Sequence, residues 1–259
     1  MVRIRQFLNV GVFVALIAAN GLAASGAMSG RSIGVIANAI PSRFLPANWV
    51  FGIWSLIYLG LATCMLYQLR TTAPAVRATE RLGWWWLASC VLNVAWISLF
   101  SFAQFAAALL IMIALLVVLV VLAHRLRSDV ASAKPTVATL LCVQWPFDLY
   151  LAWISVALIS NTFQFANVVG FQGVGISESV WSVVMMAIAS LLGVWMAWKK
   201  GMWLFPLVVA WAVLGIGVRY AQDPLIGSAA LPIAATAILT GLGGWWLGRR
   251  GRRRSASFA

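Results

Sequence analysis

Residues 82–124 read LGWWWLASCVLNVAWISLFSFAQFAAALLIMIALLVVLVVLAH, with no Asp, Glu, Lys or Arg among them. As one helix rising 1.5 Å per residue, this stretch would extend about 65 Å, roughly twice the hydrocarbon thickness of a bilayer. It therefore has to double back, and residues 101–104, Ser-Phe-Ala-Gln, form the short turn at which it does so. Two membrane-crossing helices joined by that turn are what this stretch predicts.

The same reading applied outward gives spans at residues 7–27, 47–67, 82–102, 105–124, 137–161, 180–198, 203–218 and 226–247. The expected fold class is all-α: a polytopic transmembrane helical bundle of about eight spans. Hydrophobic residues make up 63% of the 259 and charged residues 9%, a balance that no water-soluble core could cover with polar surface.

The basic residues test the span count independently, because an error of one span would scramble their sidedness. Arg3 and Arg5, Arg70, Arg77 and Arg81, Arg125, Arg127 and Lys134, Lys199 and Lys200, and Arg249, Arg250, Arg252, Arg253 and Arg254 all fall on one side. Of the 18 basic residues, this leaves Arg31, Arg43 and Arg219 on the other. Both termini are thus expected in the cytoplasm, with the chain in a bacterial cytoplasmic membrane. The formal charge of +13 is then a set of topology signals and not a nucleic-acid interface. The tail at residues 249–259 reads as an anchor beside anionic lipid headgroups. The first span, which follows Arg3 and Arg5 and ends in Ser25-Gly26-Ala27, also has the layout of a signal peptide, though it is long for one. Its cleavage would leave seven helices.

The residue inventory narrows the chemistry. His124 is the single histidine and sits at a helix end, so neither a Ser-His-Asp triad nor a multi-histidine metal site is supported. Cys64, Cys90 and Cys142 are odd in number, widely spaced and set in apolar segments, which reads as structural. There is no Walker A loop, and no lysine lies deep in a span as a retinal protein would need. No catalytic residue, metal site or required cofactor is expected, and the chain reads as non-enzymatic.

Fifteen tryptophans exceed what anchoring at the membrane interface requires. Trp84, Trp85, Trp86, Trp198, Trp203, Trp245 and Trp246 are placed as ordinary aromatic-belt residues. Trp54, Trp96 and Trp153 instead lie inside spans. Phe51, Trp54 and Tyr58 share one helical face at about 100° per residue, as do Asn93, Trp96 and Phe100, and Tyr150, Trp153, Ala157 and Asn161. Three aromatic stripes, each with a polar member, suit an apolar pocket holding a few hydrogen-bonding groups. They suit aromatic helix packing with the polar groups bonded across the bundle equally well.

Three motifs break the tie. Phe44-Leu45-Pro46-Ala47-Asn48-Trp49-Val50-Phe51-Gly52-Ile53-Trp54-Ser55-Leu56-Ile57-Tyr58, Leu92-Asn93-Val94-Ala95-Trp96 with Phe100, and Tyr150-Leu151-Ala152-Trp153-Ile154-Ser155-Val156-Ala157 with Asn161 follow one another in that order. In order and spacing they resemble the TspO/MBR family, the tryptophan-rich sensory or translocator proteins. The resemblance covers residues 40–161. It implies a five-helix bundle enclosing a pocket beneath the loop that joins the first two helices, with porphyrins, including haem, and sterol-like or drug-like hydrophobes as ligands. By motif position, Trp54, Asn93, Trp96, Trp153, Ala157 and Asn161 would line that pocket, joined by Phe51, Tyr58 and Tyr150 from the stripes. The implied organisation is a TspO-like membrane domain at residues 1–165, three additional helices at 166–248 and a basic tail at 249–259.

Asp148 is the acidic residue nearest the middle of a span, where a functional or partnered role is the default. Gln144, Asp148 and Ser155 fall within about 40° of one another and away from the Trp153 stripe. No basic residue lies at their depth in the sequence. This second face is expected to meet the three added helices as a polar contact or a proton site. Two functions follow: a binding or sensory membrane protein for flat hydrophobic molecules, and a small-solute or proton-coupled transporter using Asp148. The expected partners are membrane lipid and a hydrophobic small molecule. Gly244 and Gly248 form a GxxxG pair that leaves a homo-oligomer open.

Overall fold

A computed structural model describes residues 2–128 and 135–255, with residues 247–255 by backbone alone. Lys134 and the arginine side chains from Arg249 onward, which entered the charge reading, lie outside what is described. The elements in chain order are α1 (Val2–Ser25), α2 (Ile33–Ala39), a 3₁₀ turn (Asn48–Gly52) leading into α3 (Ile53–Gln68), α4 (Ala73–Ser101), α5 (Phe105–Arg127), α6 (Val137–Thr139), α7 (Trp145–Val168), α8 (Glu178–Lys200), α9 (Leu204–Arg219) and α10 (Pro224–Ser255). No strand occurs among the described residues. Among the described residues, seven helices are long and apolar enough to cross a membrane, while α9, at 16 residues, is apolar but shorter. The short α2, capped by the Ser32 hydroxyl accepting from the Val35 N–H, was not legible in the sequence.

The doubling back of the 82–124 stretch occurs where expected. Helix α4 ends at Ser101, Ala103 takes φ 56°, and the Gln104 N–H donates to the Leu99 carbonyl at 2.9 Å before α5 begins. The start of that stretch needs correction. Helix α4 begins nine residues before the expected Leu82, with Pro74 in its first turn, where the missing N–H costs nothing. It breaks at Gly83, whose φ of 45° and ψ of −145° only glycine adopts readily. Arg125 Nε donates at 2.9 Å to the Arg81 carbonyl beside the break.

The chain forms two compact units. The first comprises the described residues of 2–41 and 52–154, the second residues 42–51 and 155–255. The division therefore falls inside α7, with the segment before α3 in the second unit.

In the first unit α4 packs along α5 and α1 lies against α4, with Leu16 and Ala23 of α1 fully buried. Polar side chains fasten α1 at its beginning. Asn9 Nδ2 donates to Gln68 Oε1 at 2.8 Å, Gln6 donates to the Gln68 carbonyl, and Trp86 Nε1 donates to the Asn9 carbonyl at 3.1 Å. Trp86 is thus no belt residue. It is fully buried, between Phe13 and Phe147, whereas Trp84, Trp85, Trp198 and Trp246 are exposed.

In the second unit, glycines let α8, α9 and α10 approach closely. A Cβ at Gly193 would lie 3.0 Å from Pro206 Cα, and one at Gly217 would lie 2.4 Å from Ala230 Cβ. Small residues at such crossings allow the backbone proximity that drives helix association in lipid. Gly244 of the GxxxG pair is used in the same way within the chain, against Trp198.

The Gly83 kink should be intolerant of a side chain for backbone reasons alone, since the nearest atom to a Cβ there is Arg125 Nη2 at 4.0 Å. Gly83→Ala should lower stability by about 1 to 3 kcal/mol in a denaturation series in detergent. An unchanged midpoint would mean that α4 runs straight through this position.

Candidate functional site

Pro146 shapes the approach of α7 to the rest of the first unit. It has no N–H, and its ring would press on the carbonyl one turn back. The chain answers with a wider π-helical turn over Leu140–Gln144, in which the Trp145 N–H reaches the Leu140 carbonyl. Gly60 of α3 then packs directly on this proline, since a Cβ there would lie 3.1 Å from Pro146 Cβ. That contact brings the start of α3 and the turns of α7 beyond Pro146 to one place.

There the sequence stripes meet. Trp54 is the hub: its ring centroid lies 5.3 Å from Tyr58, 6.1 Å from Trp96, 6.0 Å from Tyr150 and 6.3 Å from Trp153. The first two rings are stacked on it and the last two are edge-on, both favourable geometries for the aromatic quadrupole. Trp96 continues to Phe100 at 6.0 Å. The polar member is Asn93, fully buried, whose Nδ2 donates to the Tyr150 hydroxyl at 2.8 Å. Three of four helices in this cluster were named from the sequence. The fourth is α1, whose Asn20 bonds to Asn93. Asn20 carried a signal, being an Asn inside an apolar span, but no aromatic stripe accompanies it.

Not every expected lining residue belongs to this unit. Phe51, Ala157 and Asn161 are in the second unit, where Asn161 Nδ2 donates back to the Ala157 carbonyl at 3.0 Å. Ser155 is also there, half-buried, whereas Gln144 and Asp148 are buried in the first unit.

Asp148 departs from expectation in its partner. Arg127 Nε lies 3.3 Å from Asp148 Oδ1, and a terminal guanidinium nitrogen of the same arginine bonds Oδ2. The carboxylate is 1% exposed and the arginine side chain 20%. Counting residues placed Arg127 at the edge of its span and Asp148 well inside another. The structure sets the last turn of α5 beside the first turn of α7, and a guanidinium on a flexible stem covers the remaining distance. The face expected to await the added helices is occupied, at Asp148, by an arginine of the first unit.

The added helices instead hold the segment at residues 42–51, which carries the first part of the first family motif. Its backbone is answered group by group within the second unit. The Arg43 N–H donates to Glu178 Oε1 at 2.9 Å, Ser182 Oγ donates to the Arg43 carbonyl at 2.8 Å, and Tyr220 donates to the Ser42 carbonyl. Further along, the Ala47 N–H donates to the Gly215 carbonyl and Trp211 Nε1 to the Val50 carbonyl, both at 3.1 Å. Asp223 closes the cluster, bonded by Ser179 and 3.7 Å from the Arg43 guanidinium. The Ser179 hydroxyl, the N–H groups of Ile226 and Leu225 and the Arg43 charge together hold its carboxyl below its ordinary 3.8. The residues that answer this segment, Glu178, Ser179, Ser182, Trp211, Tyr220 and Asp223, were not singled out in the sequence. Their signal was two acids, Glu178 and Asp223, on the same sparse side as Arg43 and Arg219.

A buried ion pair is far costlier to halve than to remove whole. Arg127→Met, which leaves the Asp148 carboxyl without its guanidinium, should destabilise by about 3 to 5 kcal/mol, and Arg127→Met with Asp148→Leu should recover most of that loss. Denaturation of the two variants checks this; equal losses would mean that the two side chains are not coupled.

One family model, described as TSPO-like protein, matches residues 6–243. No curated protein and no solved structure matches the chain significantly. The matched region holds the aromatic cluster, the 42–51 segment, α8, α9 and α10 as far as residue 243, so the three C-terminal helices, beyond the reach of the sequence motifs, are part of the family pattern. With seven helices of membrane-crossing length and a family match over most of its sequence, the chain is an integral membrane protein that belongs to the TSPO-like protein family.

Proposed function

We propose that this protein is a membrane binding or sensory protein that takes a flat hydrophobic molecule, of which a porphyrin such as haem is the type, at the Trp54 cluster. The observation that carries this reading is the convergence on Trp54 of Tyr58, Trp96, Tyr150 and Trp153 from three helices around the buried Asn93–Tyr150 hydrogen bond. Large rings supply contact area for a planar ligand, and a small number of fixed polar groups supply its orientation. The membrane location fits such ligands, which partition into lipid. The transport reading loses its main support, which was a buried acid with no base at its depth, because Arg127 meets Asp148.

Trp54→Ala or Trp153→Ala should weaken protoporphyrin binding by about 1 to 3 kcal/mol, through lost aromatic contact. Trp245→Ala, which removes a ring tilted against Trp203 in the second unit, should change it little, as should Asp148→Asn. Tryptophan quenching of purified protein measures this, and identical affinities in correctly folded variants would refute the assignment.

Both termini are proposed to face the cytoplasm, on the strength of the uneven distribution of the 18 basic residues. Cysteines introduced at either end should react only with reagents delivered from the inside. Labelling of the two ends from opposite faces would show that the span count is wrong by one.

A further inference from the structure

The polarity of the hydrogen bonds beneath the aromatic cluster is determined by one atom that cannot be reversed. The Leu16 carbonyl oxygen on α1 only accepts. Asn20 Nδ2 lies 2.9 Å from that oxygen and 2.9 Å from Asn93 Oδ1. The Asn20 atom facing a carbonyl must be its amide nitrogen, so Asn20 offers N–H to Asn93, and Asn93 must turn its oxygen toward Asn20. The opposite side of the Asn93 amide is then its NH₂, which lies 2.8 Å from the Tyr150 hydroxyl. The phenolic oxygen accepts that bond, and its own proton is left to give.

Asn93 is fully buried, Tyr150 is 1% exposed, and Asn93 is the hydrogen-bond partner of the Tyr150 hydroxyl among the described residues. The tyrosine ring is edge-on to Trp54, in the middle of the cluster. A buried donor without an acceptor is costly until one reaches it, and a second donor brought there makes matters worse.

We propose that Asn20, acting through Asn93, commits the Tyr150 hydroxyl to donate, and that the cluster therefore selects flat ligands carrying an acceptor over ligands of the same shape carrying a donor. The acceptor is a carbonyl or carboxylate oxygen or an unprotonated ring nitrogen. This inference rests on the reading of the Trp54 cluster as a ligand site. Asn20 is a positioning residue, two hydrogen bonds removed from the Tyr150 hydroxyl.

Three tricyclic probes of nearly one shape test it: 9-fluorenone presents a carbonyl, fluorene a methylene and carbazole an N–H at the same position. With the full-length protein in lipid nanodiscs, equilibrium binding should favour 9-fluorenone over carbazole roughly tenfold, the scale of one buried hydrogen bond made against one donor opposed. Tyr150→Phe should bring the 9-fluorenone to fluorene ratio close to one. Asn20→Leu frees the Asn93 amide to turn over and accept from Tyr150, so the 9-fluorenone to carbazole ratio should shrink severalfold while fluorene affinity holds. Retained fluorene binding reports an intact cluster in each variant. If Asn20→Leu fails to fold, the wild-type ratio and Tyr150→Phe still decide.

Equal affinities for the three probes, all lost in Trp54→Ala, would overturn the donor assignment and leave the ligand site standing. A 9-fluorenone preference that survives Tyr150→Phe would also overturn it. Binding of none of the probes, or binding indifferent to Trp54→Ala, would instead overturn the ligand-site reading itself and the inference with it.

Discussion

Hydrocarbon offers no water to a polar group, so every N–H, carbonyl, amide and charge within the membrane has to find its partner in the protein. For the backbone this requires helices, and the described part of the chain contains no strand. For the side chains it requires pairs, and the first unit is built on them: Asn9 with Gln68, Trp86 with the Asn9 carbonyl, Asn20 with Asn93, Asn93 with Tyr150, Arg127 with Asp148. Each pair joins residues far apart in the chain. Apolar contact between helices gains little where the solvent is itself apolar, so these bonds and close small-residue crossings specify which helix meets which.

The same requirement accounts for the segment at residues 42–51. It is irregular backbone between two helices, and its carbonyl and N–H groups would be unanswered in an apolar setting. Glu178, Ser182, Trp211 and Tyr220, with the Gly215 carbonyl, answer them. Helices α8 to α10 are therefore more than an appendage. They hold the first part of the motif that first pointed to the family, and the family match extends into α10, to residue 243.

Irregularity in the helices of the first unit is likewise placed where it does something. Gly83 bends α4 next to an arginine that takes up the carbonyl beside the break. Pro146 forces a π-helical turn and presents a flat face on which Gly60 packs, and from that contact onward the rings of α3 and α7 converge. A regular α7 entering without that turn would arrive in a different rotational register, and Tyr150 and Trp153 would not both face Trp54.

The sequence by itself determined the class of fold, the approximate position of the spans and the aromatic members of the cluster. These depend on local quantities: the run length of apolar residues against bilayer thickness, and the 3.6-residue period that puts Trp54 and Tyr58, or Tyr150 and Trp153, on one face. The turn at residues 101–104 was legible for the same reason. What only the tertiary structure decided were the pairings. Asp148 looked isolated because sequence depth is measured along one helix, while Arg127 reaches it from another. Trp86 looked like its neighbours Trp84 and Trp85 because all three sit at a span end, yet it alone turns inward to the Asn9 carbonyl. Asn20 drew no reading from the sequence, and its orientation of Asn93 and Tyr150 exists only once α1, α4 and α7 are side by side. Periodicity states which residues share a face, but which faces meet is determined by hydrogen bonds between distant residues, and these are formed only in the assembled bundle.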